Sequence, residues 1–425
     1  YGFSFSLYNY VRAIWAGLFY FLCIRFIFVF VGKKLECSCL KIIIMRMKSI
    51  VFVVRDNFTG GFVSSLSSLY NAIKTDYDIQ VLQLSSMGNA SNSFKEKTIL
   101  PWRLCDYYYS DYTLSSGWKK FFVALVRILA KIDKKLERKI ARHYQKMISQ
   151  ADCVVAFSEG PATSFCQYLH HPNKVAWIHH DITHYPKSEA AEKCLEKYNK
   201  IVCVAETIAN GMQVMYPDLK EKILAIHNIV DEDRIRNLAK KSIVEKCNNC
   251  LTIVSVGRLV PVKRFEIIPM LAKQLIDRGL VFKWWIIGPA SDENIILKIQ
   301  KNIDKYETNG YVEWIGSRRN PYPYIAKADL LVSTSYSEAC PMIFTEARVL
   351  DTPIVSADFL TANEFLENGK DGVVSSIDNM AENIYRLLTD SEYRQLIRKN
   401  SLLRGVGNCE SVNRMRKIFN KQFKE

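Results

Sequence analysis

The sequence predicts an α/β protein built from two doubly wound, parallel-sheet halves. Three observations carry that expectation. Ten short apolar runs read as buried strands, helical patterns lie between most of them, and a polar, charged stretch at 231–250, DEDRIRNLAKKSIVEKCNNC, divides the runs into two sets. With 425 residues, 49% of them hydrophobic, the chain is long enough for two cores of ordinary domain size.

The amino end stands apart. Residues 13–31, AIWAGLFYFLCIRFIFVFV, approach the length of a membrane span but are interrupted by Arg25 and followed by Lys33 and Lys34. Either 1–46 is an anchor, or it is extra upstream sequence and the folded protein begins at MKSIVFVVRDN. The second reading is preferred because a strand-like run starts directly after Met47.

From Met47 the strand-like runs are SIVFVV (49–54), IQVLQL (79–84), DCVVAF (152–157), KVAWIH (174–179) and KIVCVA (200–205). After the polar stretch come LTIVSVG (251–257), FKWWIIG (282–288), YVEWIG (311–316), DLLVSTS (329–335) and PIVSA (353–357). The expected domains are therefore 47–240 and 241–405, with a carboxyl-terminal helix in 406–425 that is free to cross back to the first.

The charge balance, 58 Lys and Arg against 43 Asp and Glu, gives +15 and suggests an anionic partner such as phosphate, nucleic acid or lipid headgroups. No interleaving of aromatic and basic residues typical of single-strand binding is seen, which argues against nucleic acid. The twelve cysteines show no repeating spacing, so a reducing compartment without a disulfide framework is expected. Cys247 and Cys250 lack a second pair, and read as a polar loop rather than a zinc site.

In open α/β sheets ligands bind beyond the carboxyl ends of the strands. One run leaves its strand at Gly257, then offers Arg258 and, five residues on, Lys263. A bidentate guanidinium and a mobile ammonium together suit a diphosphate, though a solvated basic turn has the same pattern. STSYSEACPMIFTEA places Glu338 in a loop and starts a helix near Pro341, whose free amides favour an anion. On that helix Ile343, Ala347 and Leu350 form an apolar stripe widened by Met342 and Val349. Glu346 falls inside it. A carboxylate there needs a hydrogen-bonding partner, either a structural one or a hydroxylated ligand.

Gly60 and Gly61 lie between the first strand and a helix, and permit a close approach of backbone to a phosphate or sugar. WIHHDITHY ends the fourth strand with His179, His180, Asp181 and His184, which suit contact with a transferred group or a departing phosphate better than a metal. Asp76 and Asp78 mimic an Asp-x-Asp metal motif but precede a strand, on the wrong edge of the sheet.

GRLVPVK, NPYPYIAKADLLVSTSYSEACPMIFTEA and TPIVSADFLTANEFLENGKDGVV together resemble the carboxyl-terminal half of the retaining glycosyltransferases of family 4 (glycosyl transferases group 1). The amino half matches less tightly, through MKSIVFVVRDNFTGG, WIHHD and HNIVD at 227–231. The resemblance implies a GT-B fold, two Rossmann-like domains facing each other across a cleft. It implies transfer of a hexosyl or N-acetylhexosaminyl group from a nucleotide diphosphate such as UDP, with retention of configuration and no cofactor or metal. By the same resemblance Gly257, Arg258 and Lys263 hold the diphosphate, and Glu338, with Ala339, Cys340, Pro341, Met342 and Ile343, the donor sugar. Glu346 would hold the ribose, and His179, in preference to His180, would lie beside the transferred sugar. Many relatives have glycine after the first glutamate. Ala339 and Cys340 here imply a narrower sugar pocket.

Departure of the donor puts negative charge on the β-phosphate, which cations and helix-start amides would stabilise in the transition state. For the acceptor, residues 119–148 carry ten Lys and Arg against two acids, with Phe122, Leu125, Leu129, Ile132, Leu136 and Ile140 at helical spacing. Such a helix fits either an anionic membrane surface or packing on its own domain. With the first reading come a glycan or lipid-linked sugar acceptor, surface polysaccharide synthesis, and a cytoplasmic, peripheral place at the inner face of the membrane. A sugar-nucleotide epimerase or hydrolase on the same fold, or a non-enzymatic basic membrane binder, are the alternatives.

Overall fold

The computed structural model describes residues 47–420, apart from 57–60, 89–93, 134, 183–185, 242–249 and 291. Gly60, His184 and Cys247 therefore lie outside the described residues, as does all of 1–46. Met47–Glu425 forms one compact unit.

Within it the described strands build two all-parallel sheets. The first takes β1 (Lys48–Val54), β2 (Tyr77–Gln83), β3 (Thr98–Ile99), β4 (Cys153–Ala156), β5 (Lys174–Ile178), β6 (Lys200–Cys203) and β7 (Ile223–Ala225), in the order β3-β2-β1-β4-β5-β6-β7. The second takes β8 (Leu251–Val256), β9 (Phe282–Ile287), β10 (Val312–Trp314), β11 (Leu330–Ser333), β12 (Ile354–Ala357) and β13 (Val373–Ser375), in the order β10-β9-β8-β11-β12-β13. Chain direction across each sheet reverses once, between β1 and β4 and between β8 and β11. Those are the switch points where crevices open.

The runs read as strands become strands because their residues are apolar on both faces. In β1, Ile50, Phe52 and Val54 pack with Leu66, Leu69, Trp177 and Phe419 on one face. Val51 and Val53, pointing the other way, join Val154, Ile140 and Phe165 in a cluster that continues into the second half through Leu331, Phe344 and Ile354. The other face of the second sheet, with Ile253, Trp284 and Val332, is covered by Leu271 and Ile384 from flanking helices. The helix Asn408–Asn420 follows Gly405 and Gly407, both at positive φ, and returns to the first sheet, where Met415, Ile418 and Phe419 are buried.

Three features differ from the sequence reading. The strands β3, β7 and β13 have two or three residues each, too few to show a period. Residues 119–148 form two helices, Gly117–Ile132 and Leu136–Ile148. Asp133 ends the first, and its carboxylate accepts from the Lys135 amide at 3.0 Å and pairs with Lys139 at 2.6 Å, a local turn that competes with continued helix. Finally, Cys250 is disulfide-bonded, although seven other described cysteines are free, so not every cysteine is reduced as expected.

Candidate functional site

The carboxyl ends of the strands at the two switch points face each other, and most of the residues singled out above gather there. A β-carbon built on Gly61, at the start of the helix Gly61–Ile73, would stand 3.9 Å from Met342 Cγ, at the start of the helix Met342–Val349. Two helix amino ends thus meet across the crevice. Pro341 caps the second without a side-chain bond, and the amides of Met342 and Ile343 have no acceptor among the described residues.

The turn after β8 is shaped by contacts with the loop after β11. Tyr336 N donates to Val262 O at 2.7 Å, and Thr334 Oγ1 to Lys263 O at 2.7 Å. Arg264 takes a left-handed backbone at φ 52°, which turns the chain back toward its helix. Gly257 is hemmed in by Phe265 and the Lys263 side chain, 3.4 and 3.5 Å from where a β-carbon would sit. Gly288, at φ 151°, passes so close to Gly257 O that any side chain would collide with it.

Lys263 Nζ pairs with Glu338 Oε1, which also accepts from Ser335 Oγ at 2.7 Å, while Thr361 Oγ1 donates to Glu338 O at 2.7 Å. The two residues expected at separate parts of a ligand are joined here into one ion pair. Arg258 is exposed, and its guanidinium has no partner among the described residues. Ala339 and Cys340 pack into the cores on either side, and burial pushes the Cys340 thiol up to about 12 despite hydrogen bonding with Asn228. That thiol is inert at neutral pH. Asn228 in turn accepts from Ser65 Oγ at 2.7 Å.

Glu346 is partly exposed, and burial of its carboxyl pushes it up to about 7, opposed by the Tyr322 hydrogen bond and the charge of Arg234. Tyr322 Oη donates to its Oε1 at 3.2 Å. Ile343, which shares this side of the helix, is only partly buried, whereas Phe344, Thr345, Ala347 and Arg348 face inward. Of the residues that read as an apolar stripe, Ala347 and Val349 are in the core while Met342, Ile343 and Leu350, like Glu346, are only partly buried, and the charge sunk in the core is Arg348. Its guanidinium donates to Phe365 O at 2.9 Å and stands 3.7 Å from Asp371.

The two histidines after β5 part ways. His179 packs between Phe62 and Phe157, with ring centroids at 5.4 and 4.6 Å; its Nε2 is buried without a partner, and burial pushes the ring down to about 3. His180 is 77% exposed and pairs through Nδ1 with Glu159. Partial burial, then the positive charge of Arg258, push its imidazole below the usual value. Arg258 belongs to the other half of the molecule, so His180 is the histidine that faces it. Glu159 also accepts from the His179 amide at 2.7 Å. The sequence reading passed over Glu159, although it lies just beyond β4 at the switch point, where the strand-end rule points. Tyr322, also passed over, sits within the quoted NPYPY.

Asp76 and Asp78 are bound in ion pairs with Arg416 at 2.6 Å and Lys97 at 3.1 Å, away from the crevice. No group of three or more His, Cys, Asp and Glu suited to a metal ion is found among the described residues.

Two facing α/β halves with a crevice at paired switch points define the GT-B fold. Anabaena HepE, solved in complex with UDP and glucose, aligns over 88% of this chain and 99% of its own at a TM-score of 0.65 and 14% identity. Residues 239–404 match the family described as Glycosyl transferases group 1. The poly(ribitol-phosphate) alpha-N-acetylglucosaminyltransferase of Staphylococcus aureus is 26% identical over 58% of this chain and 51% of its own. The capsular polysaccharide biosynthesis glycosyltransferase CapM, also of S. aureus, is 24% identical over 48% and 50%. The chain spans about half the length of the curated relatives it matches.

Proposed function

We propose that the protein is a glycosyltransferase that moves a hexosyl or N-acetylhexosaminyl group from a nucleoside diphosphate donor, with retention of configuration, to a glycan or lipid-linked sugar in surface polysaccharide synthesis. The observation that carries this reading is the Lys263–Glu338 pair, with the unpartnered Arg258 on the same turn, in a crevice where two helix amino ends meet. A diphosphate entering there takes over Lys263 and Arg258, and the amides of Met342 and Ile343 receive charge that grows on the β-phosphate as the sugar leaves. Glu338, released from Lys263, accepts from the donor sugar hydroxyls, and Glu346 accepts from the ribose. Because these groups already supply the positive charge, transfer proceeds without a metal or other cofactor, and chelators leave the rate unchanged. Retention follows from front-face attack assisted by the leaving phosphate, which needs no protein nucleophile. His180, oriented by Glu159, stands beside the transferred sugar in place of the expected His179, whose ring is enclosed by Phe62 and Phe157.

UDP bound to the HepE fold neighbour, the N-acetylglucosaminyl transfer of one S. aureus relative and the capsular polysaccharide synthesis of the other support the choice of donor and pathway. The test is a screen of nucleotide sugars by the shift in melting temperature they induce, with Arg258→Ala, Lys263→Ala and Glu346→Ala as controls. The expected result is stabilisation by one class of donor, lost or reduced in all three variants while their ligand-free melting stays close to wild type. Wild-type donor affinity in Arg258→Ala and Lys263→Ala overturns the assignment. Donor breakdown with no dependence on acceptor would point instead to an epimerase or hydrolase.

A further inference from the structure

The helix Gly117–Ile132 carries its apolar stripe on the outside. Trp118, Phe121, Leu125, Ile128, Leu129 and Ile132 are 81, 58, 41, 55, 44 and 77% exposed. At 100° per residue they fall within an arc of about 100°. Only Val123 and Val126 of this helix are buried, about a quarter-turn away from that arc, and they hold it to the body. A surface helix of a water-soluble protein normally turns such a stripe inward, and contiguous exposed apolar patches mark interaction sites. The next helix, Leu136–Ile148, behaves in the ordinary way, with Ile140, Ala141, Tyr144 and Ile148 buried.

The charges choose the partner. The exposed helix has four cations, Lys119, Lys120, Arg127 and Lys131, and no acid. Lys119 is tied to Asp106 at 3.0 Å, and Lys120 and Arg127 lie over the Tyr112 ring at 4.9 and 5.6 Å, whereas Lys131 is exposed, about 110° from the middle of the stripe, and long enough to reach a charged plane along its edge. Two copies meeting through this face would set like charges against each other, because a two-fold contact pairs a surface with itself. An anionic lipid surface satisfies both parts, taking the rings and aliphatic chains into the acyl boundary and the cations among the headgroups.

We propose that this helix docks the protein on anionic membranes, lying in the plane of the interface with Trp118 and Phe121 inserted. The proposal stands on this surface alone and does not depend on the nucleotide reading.

The experiment uses the full chain and vesicles of phosphatidylcholine with or without phosphatidylglycerol, the latter series also made with brominated acyl chains that quench inserted tryptophans. Expected are binding that needs phosphatidylglycerol and weakens with salt, and quenching that Trp118→Phe largely removes. The double variant Phe121→Ser, Ile132→Ser should lower the partition coefficient about tenfold or more. These side chains are exposed, so its melting temperature, and any donor-induced shift, stay at wild-type values, which separates failure of docking from failure of folding or of the nucleotide site. Unchanged binding in the double variant, quenching indifferent to Trp118→Phe, or equal binding to pure phosphatidylcholine overturns the proposal. The first two outcomes would assign membrane contact to residues 1–46. Self-association without lipid that the double variant abolishes also overturns it, in favour of a second copy.

Discussion

Burial lifts the Glu346 carboxyl to about 7 from an ordinary 4.5, so between those values the folded chain holds a proton that the unfolded chain has released. Stability contributed by the protonated form is therefore complete below about 4.5 and lost as pH rises through 7. Melting curves of wild type and Glu346→Gln from pH 5 to 8 should show wild type losing ground to the variant as pH increases. Donor affinity should run the other way. An ionised Glu346 accepts from two hydroxyls and a protonated one cannot, so binding tightens as pH rises through about 7, and the Gln variant shows a flatter profile. Arg348, two positions on, is enclosed at 6% exposure, and Arg348→Met strands the Phe365 and Gly405 carbonyls, while Asp371 keeps its pair with Arg404 at 2.7 Å. A loss of about 1 to 3 kcal/mol is expected in urea unfolding, with donor affinity per folded molecule retained. The sequence marked Glu346 as an unusual charge, because a one-dimensional stripe shows which side chains are neighbours on a helix. It did not mark Arg348. Which side of a helix is covered depends on what packs there, and the carbonyls that hold Arg348 come from residues 365 and 405, far along the chain.

At the level of elements, the strand ends were legible because β1, β4, β8 and β11 lie within recognisable apolar runs, and the rule of carboxyl-end crevices starts from those ends. The contents of the crevice were less so. Lys263 and Glu338 are 75 positions apart, and their pairing follows from the hydrogen bonds that clamp the loop after β11 to the turn after β8. The ends of β4 and β5 likewise bring Glu159 to His180, a contact no local pattern announces. Glu159→Gln should keep the donor KM and lower kcat about tenfold or more, with a changed pH profile of kcat; His180→Ala should lower kcat at least as far. His179→Ala should act mainly on stability, through the lost packing with Phe62 and Phe157. Steady-state kinetics across pH separates these outcomes.

For the molecule as a whole, the sequence showed two halves and not how they are joined. Glu364, from the second half, accepts from the Glu206 and Thr207 amides at 2.6 and 2.9 Å, at the amino end of the helix Glu206–Met215 in the first, and pairs with His227. Burial would raise its pKa, but the bonds from His227, Thr207 and those amides hold it down at about 2. A depressed carboxyl contributes stability above the unfolded value near 4.5 that is lost as pH falls toward 2. Glu364→Gln should therefore cost about 1 to 3 kcal/mol at pH 7, with the gap to wild type narrowing at pH 3.5, as read from denaturant midpoints.

The helix Asn408–Asn420 gives this architecture an order in time. Its Met415, Ile418 and Phe419 complete the apolar layer beside β1, which is made more than 350 residues earlier, and Asn420 is bonded to Lys48 and Tyr77. During synthesis the leading half emerges with one flank of its sheet bare, and that flank stays bare while the trailing half is translated. A nascent chain of this design leaves that flank exposed until the helix Asn408–Asn420 is released to cover it.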